Sequence, residues 1–546
     1  MPLMQEEQVV DAHRAEGARG VVVAESELVA RAGSGILQQG GNAYDAAAAA
    51  CLACSMVHPD KCGVGGYLLT GVVIDGATGQ AWSLDANSRA PAAAHAEMYD
   101  VRPIVAGQSP SLNAREYDCD VCDDANVHGP LAVGVPGQLA GIGTLHDRWG
   151  QLPWAQVVQP SLDLLADGIR FGEGLANSVC AMEQVIRRFP ATAAHLLPHD
   201  ALPTPDSVWH RPDMERTLER LATAGWRDFY EGDVAAAIVD AVGAAGGILT
   251  RQDMATFHPR ITEPYVAIYR DAEVLGAILP NGPISVLQAL NMLDCFDPVD
   301  VDDVRWWHRM TEVLKRVWRD RLTYLGDPDY TDVPIERLLH PDYARGRVEE
   351  LLSFPDHVDT QPFAAGGGVP ETSHVSTADS DGNLVSATIT QGGGFGSVFT
   401  VPGWGIILGH GMCRLDPRPG GANSVAGGKR PLNNVMTMVL RTAERDIALG
   451  MPGGRRIISV APQMVLRLVD AGATCAQAAL APRMHVSGAE PLELIAAAPD
   501  SLVHDLEQMG HSVTRVERVG GNAAGAEFVK NTGTLAGGGG GVAVAV

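Results

Sequence analysis

The sequence is poor in positive charge and has no long apolar run. Lysine and arginine together number 40, against 65 aspartates and glutamates, so the formal net charge is −25. An excess of negative charge on this scale disfavours nucleic acid and anionic membranes as partners. No stretch reaches the roughly 18–20 consecutive apolar residues of a membrane-spanning helix. With 46% hydrophobic residues in 546, we expect a folded chain that binds neither nucleic acid nor membrane.

The N-terminus lacks the apolar core of a secretory signal peptide. Its first seven residues read MPLMQEE and contain two adjacent glutamates. A signal peptide instead has a basic start followed by an apolar run. This absence predicts a cytoplasmic location.

The nine cysteines lack the regular spacing of a disulfide framework, and their number is odd. Cys51 with Cys54, and Cys119 with Cys122, have the CxxC spacing found in zinc sites. The first pair falls in an alanine-rich helical run, where packing in the core is the ordinary role, and the second falls in an acidic loop. We therefore predict no metal site.

Two glycine-rich runs, 391–396 and 537–541, resemble phosphate-binding loops only in composition. Neither is followed by the Lys-Ser/Thr pair and the helix that a phosphate-binding loop requires. We predict that the protein uses no cofactor.

A β-hairpin pattern with a hydroxyl near each end lies in the last third of the chain. An Asp-Gly turn at 381–382 separates two runs of β-forming residues, 375–378 and 384–389, which is a strong hairpin signal. Thr372 lies nine residues before the aspartate of this turn and Thr390 nine after it. A tight hairpin therefore brings the two threonines level within about one residue of register. One hydroxyl suits a nucleophile and the other its orienting partner, and a cut before Thr372 would free an α-amine of pKa near 7.7–8.0 as the base.

Elsewhere strands and helices are interspersed. Strands are predicted over 20–24, 68–74 and 81–84, and a loop carrying Asn87 and Arg89 is expected after the last of them. Helical periodicity predicts helices over 138–148, 154–168, 214–224, 233–245, 253–256, 284–293 and 306–324. An irregular insertion is predicted over 101–130, and a flexible tether over the Pro- and Gly-rich residues 353–370. This arrangement predicts an α+β sandwich.

The motif TSHVS at 372–376, followed by DSDGNLVS at 379–386, resembles the start of the small subunit of γ-glutamyltranspeptidases, which are N-terminal-nucleophile (Ntn) hydrolases. Further blocks of that family follow in its order along nearly the whole chain: QGGNAYDAA (39–47), GVGG (63–66), VGVPG (133–137), GILT (247–250), YLGDP (324–328), GKRPL (428–432) and PGGR (452–455). Each block alone is weak evidence, whereas the ordered set is specific. The resemblance implies the αββα four-layer Ntn fold. It also implies one precursor divided into a large subunit, 1–371, and a small subunit, 372–546.

The resemblance assigns the catalytic residues as well. Thr372 would be the nucleophile after autocatalytic cleavage of the zymogen, and Thr390 would hold its hydroxyl. Gly453 and Gly454 match the glycines that form the oxyanion hole. Two successive glycines let backbone N–H groups approach the reacting carbon without a Cβ in the way.

The residues with which the family grips glutamate are not retained. The arginine that binds the α-carboxylate is replaced by Asn87, with an arginine two residues later at Arg89. The serine pair that contacts the same carboxylate is Asn433-Asn434, and the aspartate that pairs with the α-ammonium is Arg414. The last change reverses the charge.

An ammonium placed about 4 Å from Arg414 would be repelled by several kcal/mol at an intermediate effective dielectric. We therefore expect an amidohydrolase or acyltransferase that works through an acyl-enzyme on a small-molecule substrate other than a γ-glutamyl compound. An anionic substrate, with a carboxylate or oxo-acid group where glutamate carries its ammonium, suits the arginines.

Several alternatives remain open at this stage. The resemblance also covers cephalosporin acylases, small-amide hydrolases, biosynthetic C–C hydrolases and genuine γ-glutamyl hydrolases or transpeptidases. The competing class is a non-catalytic binding protein on the same fold. The intact threonines and the glycine pair favour the enzyme.

Overall fold

The computed structural model describes residues 13–104, 117, 119–361 and 371–546. The extreme N-terminus, residues 362–370 of the predicted tether and part of the predicted insertion at 101–130 lie outside these residues. No helix in the described part of the chain combines the length and the apolar character needed to cross a membrane.

The strands, numbered in chain order, are β1 Arg14–Gly17, β2 Gly20–Ala24, β3 Leu68–Ile74, β4 Ala81–Asn87, β5 Val101–Arg102, β6 Asp120–Val121, β7 Ile169–Arg170, β8 Val208–Trp209, β9 Arg260–Thr262, β10 Tyr265–Tyr269, β11 Ala272–Gly276, β12 Glu371–Asp379, β13 Leu384–Gly392, β14 Phe399–Val401, β15 Ile406–Leu408, β16 Met436–Arg441, β17 Arg445–Met451, β18 Met484–His485, β19 Leu492–Ile495, β20 Val513–Val516, β21 Ala524–Val529, β22 Thr534–Gly539 and β23 Val542–Ala545.

The α-helices are α1 Glu27–Gln38, α2 Ala43–Val57, α3 Gln138–Trp149, α4 Trp154–Ala166, α5 Glu173–Ile186, α6 Pro190–Leu196, α7 Pro212–Ala224, α8 Asp228–Glu231, α9 Asp233–Ala244, α10 Arg251–Ala255, α11 Pro283–Leu293, α12 Val304–Tyr324, α13 Ile335–Leu339, α14 Pro341–Ser353, α15 Arg456–Val469, α16 Cys475–Leu480 and α17 Asp500–Met509. The predicted helices are confirmed, with ends that differ by one or two residues in most cases.

Two seven-stranded sheets form the centre of the fold. Their strand orders are β1-β22-β21-β17-β16-β11-β10 and β23-β2-β12-β13-β3-β4-β9. The sheets face each other across an apolar layer that includes Val23, Val72 and Val439. Helices α1 and α2 cover the outer face of the second sheet, and α11 and α15 cover the first. The predicted α+β class is therefore confirmed as a four-layer αββα sandwich.

The central strands are apolar on both faces, because their side chains point alternately into one apolar layer and the other. In β2, Val21 and Val23 face the other sheet, whereas Val22 faces the helices. Side chains of a strand alternate between its two faces, so a strand covered on both sides is apolar throughout. Helix α2 is buried along its whole length, and its small residues allow close packing on this sheet.

Three strands are longer than predicted: β12 and β13 extend beyond 375–378 and 384–389, and β4 extends beyond 81–84. Strand β4 runs to Asn87 rather than ending at Leu84, because the whole of 81–87 pairs with β3. Asn87 therefore lies opposite Leu68 within the sheet, and the expectation that it belongs to a loop is wrong. Arg89 does lie beyond the strand.

Candidate active site

Thr372 and Thr390 meet at one end of the β12–β13 hairpin. Glu371 pairs with Gly392 and Ser373 with Ile389, so Thr372 alone faces two residues of β13, Thr390 and Gln391. This register shift is a β-bulge, a feature that often re-aims a side chain beside an active site. The Thr372 hydroxyl donates to Thr390 Oγ1 at 3.4 Å, and both residues are buried. The prediction that the two threonines lie level within one residue of register is confirmed.

The turn formed by Gly453 and Gly454 follows β17 and precedes α15. The two glycines have φ values of 147° and 57°, which favour glycine because it lacks a Cβ. On the facing sheet, the ring of His374 packs so tightly on Gly450 that a Cβ there would lie 2.1 Å away. Contacts between the hairpin and β17 show that β12 and β17 run in opposite directions. The end of β17 therefore leads the glycine turn toward the end of β12 that carries Thr372.

His374 is the nearest histidine along the chain, and it is unsuited to act as the base. Its Nδ1 lies 2.7 Å from Thr388 Oγ1 and its Nε2 lies 2.8 Å from Ser376 Oγ. Burial lowers the pKa of His374 to about 3. The ring is therefore neutral at physiological pH, and its two nitrogens are engaged by Thr388 of β13 and by Ser376 of its own strand. This leaves the base for Thr372 to another group.

A buried ion pair supports the residue next to Thr372. Ser373 Oγ donates to Glu25 Oε2 at 2.6 Å, and Glu25 also forms a short ion pair with Lys61. Burial is the largest single effect on Glu25 and opposes its ionisation, but Lys61, His58 and the hydrogen bond from Ser373 together outweigh it, and the pKa of Glu25 lies below its usual value. Sequence reasoning missed this pair. The only signal for it was an acidic residue directly after the apolar strand β2.

Arg414 lies at the same end of the hairpin as the threonines. Its guanidinium donates to the carbonyl oxygen of Gly392, and the N–H of Gly392 donates to Thr390 Oγ1 at 2.8 Å. The backbone carbonyl of Arg414 accepts from the Tyr117 hydroxyl at 2.7 Å. Burial, and then the charge of Arg414, hold the pKa of the adjacent His410 well below its usual range. The guanidinium of Arg414, with the neutral imidazole of His410 beside it, therefore binds Gly392, and Gly392 pairs with the residue that precedes Thr372.

Asn87 shares a row of the sheet with Thr390, since both pair with Leu68. At about 4.8 Å per strand, their backbones lie roughly 10 Å apart. Asn87 is fully buried, and its Nδ2 donates to Pro431 O at 2.8 Å. Its Oδ1 is also buried, and no group among the described residues donates to it. Asn87 therefore presents an acceptor oxygen that no described donor uses.

The structure places the other predicted substrate residues in two different surroundings. Asn433 and Asn434 follow Pro431, which brings them close to Asn87 in the fold. The amide of Asn433 donates to Asn281 Oδ1 at 2.9 Å, and Asn434 Oδ1 accepts from Arg321 Nη2 at 2.9 Å. Both amides are therefore engaged within the protein.

Arg89 is directed to a different neighbourhood. Its Nη2 donates to Thr256 Oγ1 at 3.3 Å, and its guanidinium lies 5.5 Å from the centre of the Phe257 ring. Both residues lie at the end of α10 rather than on β12 or β13. These contacts do not bring Arg89 to the threonine pair.

One cluster of potential metal ligands occurs among the described residues, away from the threonine pair: Glu312, Glu490 and His511. The ammonium of Lys315 already lies 2.7 Å from Glu312 and 2.6 Å from Glu490. The cluster is therefore an ion network with its own internal cation.

The chain matches the family model for gamma-glutamyltranspeptidase over residues 29–539. The proenzyme of Acylase ACY 1 from Pseudomonas sp. strain SE83 is 34% identical over 527 residues, covering 96% of this chain and 92% of the relative. A glutathione hydrolase proenzyme from Bacillus subtilis strain 168 is 30% identical over 522 residues, covering 91% of this chain and 85% of the relative. The crystal structure of a cephalosporin acylase from Bacillus halodurans superposes with a TM-score of 0.86 at 25% identity, over 98% of this chain and 97% of that one.

These similarities extend over nearly the whole chain and agree with the four-layer sandwich. They bear out the family resemblance seen in the ordered motifs, and the family and these relatives are hydrolases or acyltransferases. The alternative of a non-catalytic binding protein is therefore set aside. The chain belongs to the gamma-glutamyltranspeptidase family, and it is an enzyme of the Ntn-hydrolase type.

Proposed function

We propose that the protein is a self-processing amidohydrolase that uses Thr372 as its nucleophile on a substrate without the α-ammonium of glutamate. The position of Arg414 is the observation that supports the proposed type of substrate. Its guanidinium binds the carbonyl of Gly392, the residue that pairs with Glu371 across the bulge. The activities in the names of the acylase relatives agree with such a substrate.

Self-processing starts from the intact Glu371–Thr372 bond. The Thr372 hydroxyl attacks the carbonyl carbon of Glu371, and the bond from that carbon to the Thr372 nitrogen breaks. The nitrogen takes a proton and becomes a free α-amine, while Glu371 is held as an ester on Thr372. Water then hydrolyses the ester, which releases the carboxylate of Glu371 and restores the hydroxyl. The contact with Thr390 orients the attacking oxygen.

Substrate turnover repeats this chemistry on an external amide. The neutral α-amine of Thr372 takes the proton of the hydroxyl as that oxygen attacks the substrate carbonyl. The tetrahedral oxyanion needs donors placed beforehand, and the N–H groups of the Gly453-Gly454 turn suit this role because no Cβ shields them. The leaving amine departs with the proton, and water hydrolyses the acyl-enzyme to free the acid.

The charge near Thr390 favours an acyl group that ends in an acid. A carboxylate close to Arg414 would gain a charge-assisted hydrogen bond, whereas an ammonium there would be repelled. Asn87 cannot replace a bidentate arginine, but its amide can still hydrogen-bond a polar end group. A dicarboxylic monoamide such as a glutaryl amide meets these conditions.

Hydrolysis of γ-glutamyl amides is the second candidate, because glutathione hydrolases are among the relatives at 30% identity. It needs the ammonium of the substrate to avoid Arg414. A comparison of γ-glutamyl and glutaryl anilides decides between the two, since they differ only in the α-amino group.

The nucleophile is tested by denaturing electrophoresis and N-terminal sequencing. Cleavage before Thr372 gives fragments of 371 and 175 residues, roughly 39 and 18 kDa in proportion to the 57.5 kDa chain. Thr372→Ala should leave a single full-length band, while Thr372→Ser should still be cut because it keeps a hydroxyl. A new N-terminus elsewhere, or cleavage of the alanine variant, would refute the assignment.

A further inference from the structure

Lys61 contacts the hairpin at the bulge beside Thr372. Thr372 faces two residues of β13, Thr390 and Gln391, and a bulge leaves its extra residue outside the ladder of the strand pair. A buried backbone N–H that lies outside the ladder needs a partner elsewhere. Gln391 is buried, and its N–H donates to the carbonyl oxygen of Lys61 at 2.8 Å. The backbone of Lys61 therefore holds β13 in the bulged register.

The side chain of Lys61 reaches the other strand of the hairpin. Its ammonium pairs with Glu25 Oε1, and Glu25 Oε2 accepts from the hydroxyl of Ser373 at 2.6 Å. Glu25 directly follows β2, and β2 pairs with β12, so this carboxylate lies beside β12. Ser373 comes directly after Thr372, just as Gln391 comes directly after Thr390. Lys61 thus binds the residue that follows each threonine.

The segment around Lys61 is also held against the end of β13 by its neighbours. The carbonyl oxygen of Pro59 accepts from Gln391 Nε2 at 3.2 Å, and that of Asp60 accepts from the N–H of Phe395 at 3.0 Å. These backbone contacts do not depend on the Lys61 ammonium. Removal of the ammonium should therefore release β12 while residues 59–61 stay in place on β13.

Stability alone does not account for the Glu25–Lys61 ion pair. The side chains of Lys61 and Glu25 are 26% and 16% exposed, and the cost of taking such charges out of water offsets their attraction. The directional effect is larger, because a charged acceptor holds the buried hydroxyl of Ser373 at short range. A displacement of about 1 Å in an active site can lower the rate by about 100-fold. A contact that fixes the bulge therefore bears directly on the reactivity of Thr372.

We propose that Lys61 is a positioning residue for the nucleophile Thr372. Its carbonyl holds β13, and its ammonium holds β12 through Glu25 and Ser373. Together these contacts keep the register that brings the Thr372 hydroxyl to Thr390, both in the precursor and in the processed enzyme. The inference rests on the proposed role of Thr372 as nucleophile.

The test compares Lys61→Met, Ser373→Ala and the double variant. Lys61→Met removes the ammonium but keeps the backbone carbonyl, whereas Ser373→Ala breaks the link and leaves the ion pair in place. Electrophoresis follows the rate at which each purified precursor is converted into two fragments. In the processed fraction, kcat and KM are measured with whichever of the two anilides the unmodified enzyme turns over. Each single variant should lower the processing rate and kcat about 10- to 100-fold, with KM within about twofold of the unmodified value.

The losses should not multiply, because Lys61 acts on β12 through Ser373. The double variant should lie within about threefold of the more impaired single variant, and Lys61→Arg, which keeps a cation, should retain most of kcat. Lys530→Met is the matched control. Lys530 pairs with Asp446, whose side chain is 15% exposed against 16% for Glu25, at the end of β17 away from the glycine turn. This control should leave kcat and the processing rate unchanged.

The inference is overturned if Lys61→Met or Ser373→Ala keeps kcat and the processing rate within about twofold of the unmodified protein. It is also overturned if the two losses multiply, if the loss lies in KM alone, or if Lys61→Arg or Lys530→Met is impaired as much as Lys61→Met. Cleavage of Thr372→Ala would instead refute the nucleophile, so the two failures are distinguishable. Urea unfolding checks the fold of each variant. Should Lys61→Met not fold, Ser373→Ala decides the outcome, since it leaves no charge unpaired.

Discussion

The position of Arg414 makes a quantitative prediction about substrate choice. The perturbation is Arg414→Gln, tested on a γ-glutamyl anilide and a glutaryl anilide. Both substrates carry the same acyl chain and terminal carboxylate, and only the first carries an ammonium. Any effect of Arg414 on the shared carboxylate cancels in the ratio of the two kcat/KM values. The ratio therefore isolates the interaction between the guanidinium and the ammonium.

The magnitude follows from distance and exposure. Two like charges about 4 Å apart repel by about 1 kcal/mol in bulk water and about 4 kcal/mol at an effective dielectric of 20. Arg414 is half-buried, so an intermediate value of about 2 kcal/mol applies. Since about 1.4 kcal/mol is a factor of ten in rate, we expect the unmodified enzyme to favour the glutaryl anilide by about 30-fold. Arg414→Gln should remove most of that preference.

The assay is the initial rate of aniline release by the processed enzyme at matched substrate concentrations. Arg418→Gln is the control, because Arg418 lies four residues from Arg414 but is exposed and paired with Asp416. It should leave the ratio unchanged. If the unmodified enzyme prefers the γ-glutamyl anilide, or if Arg414→Gln does not alter the ratio, the charge reasoning is wrong. The glutathione-hydrolase type of activity would then take its place.

Three further predictions concern the base, the glycine turn and the buried histidine. Because the α-amine of Thr372 must be neutral to accept a proton, kcat/KM should fall toward acid with an apparent pKa near or below 7.7–8.0, and a profile that stays flat down to about pH 5 would contradict this. Gly453→Ala should lower kcat by about 10²–10³-fold, since a φ of 147° strains an alanine and its Cβ would lie 3.1 Å from Gly520 Cα. A variant that keeps full activity would exclude the turn from the oxyanion hole. The pKa of His374 is about 3 in the folded state against about 6.5 unfolded, so only the unfolded state gains its proton below pH 6.5. As the pH falls from 6.5 to 3, this group should therefore reduce the free energy of unfolding by up to about 1.4 kcal/mol per pH unit. The free energy of unfolding measured by urea denaturation should therefore differ less between pH 7 and pH 5.5 in His374→Gln than in the unmodified protein.

Local pattern was sufficient for the seven predicted helices and for the threonine pair. Strand alternation and the Asp-Gly turn act within twenty residues, so the pairing of Thr372 with Thr390 could be predicted from spacing. The prediction was accurate to one residue of register, but the bulge that leaves Thr372 facing two residues of β13 was not foreseen. Helical periodicity likewise located helices such as α12, because a period of 3.6 is a property of consecutive residues.

The length of strand β4 depends on contacts with residues that are distant in the sequence. The pattern ended β4 at Leu84, since the polar residues Asp85 and Asn87 looked like a loop. In the structure, Arg260 binds Asp85 with 2.7 Å between Nη2 and Oδ2, and Pro431 accepts from Asn87. These partners lie 175 and 344 residues away. They bind the Asp85 carboxylate and the Asn87 Nδ2 group within the fold, which lets the strand continue.

The sequence by itself determined the fold class, the order of the motifs, the threonine pair and the reversal of charge at Arg414. Tertiary structure alone decided what surrounds them: the Glu25–Lys61 pair behind Ser373 and the bond from Arg414 to Gly392. Arg89 is an example, since only the structure shows that its guanidinium contacts Thr256 and Phe257. The physical reason is range, because periodicity reports neighbours along the chain, while the surroundings of a site are set by side chains that only the packing of sheets and helices brings together.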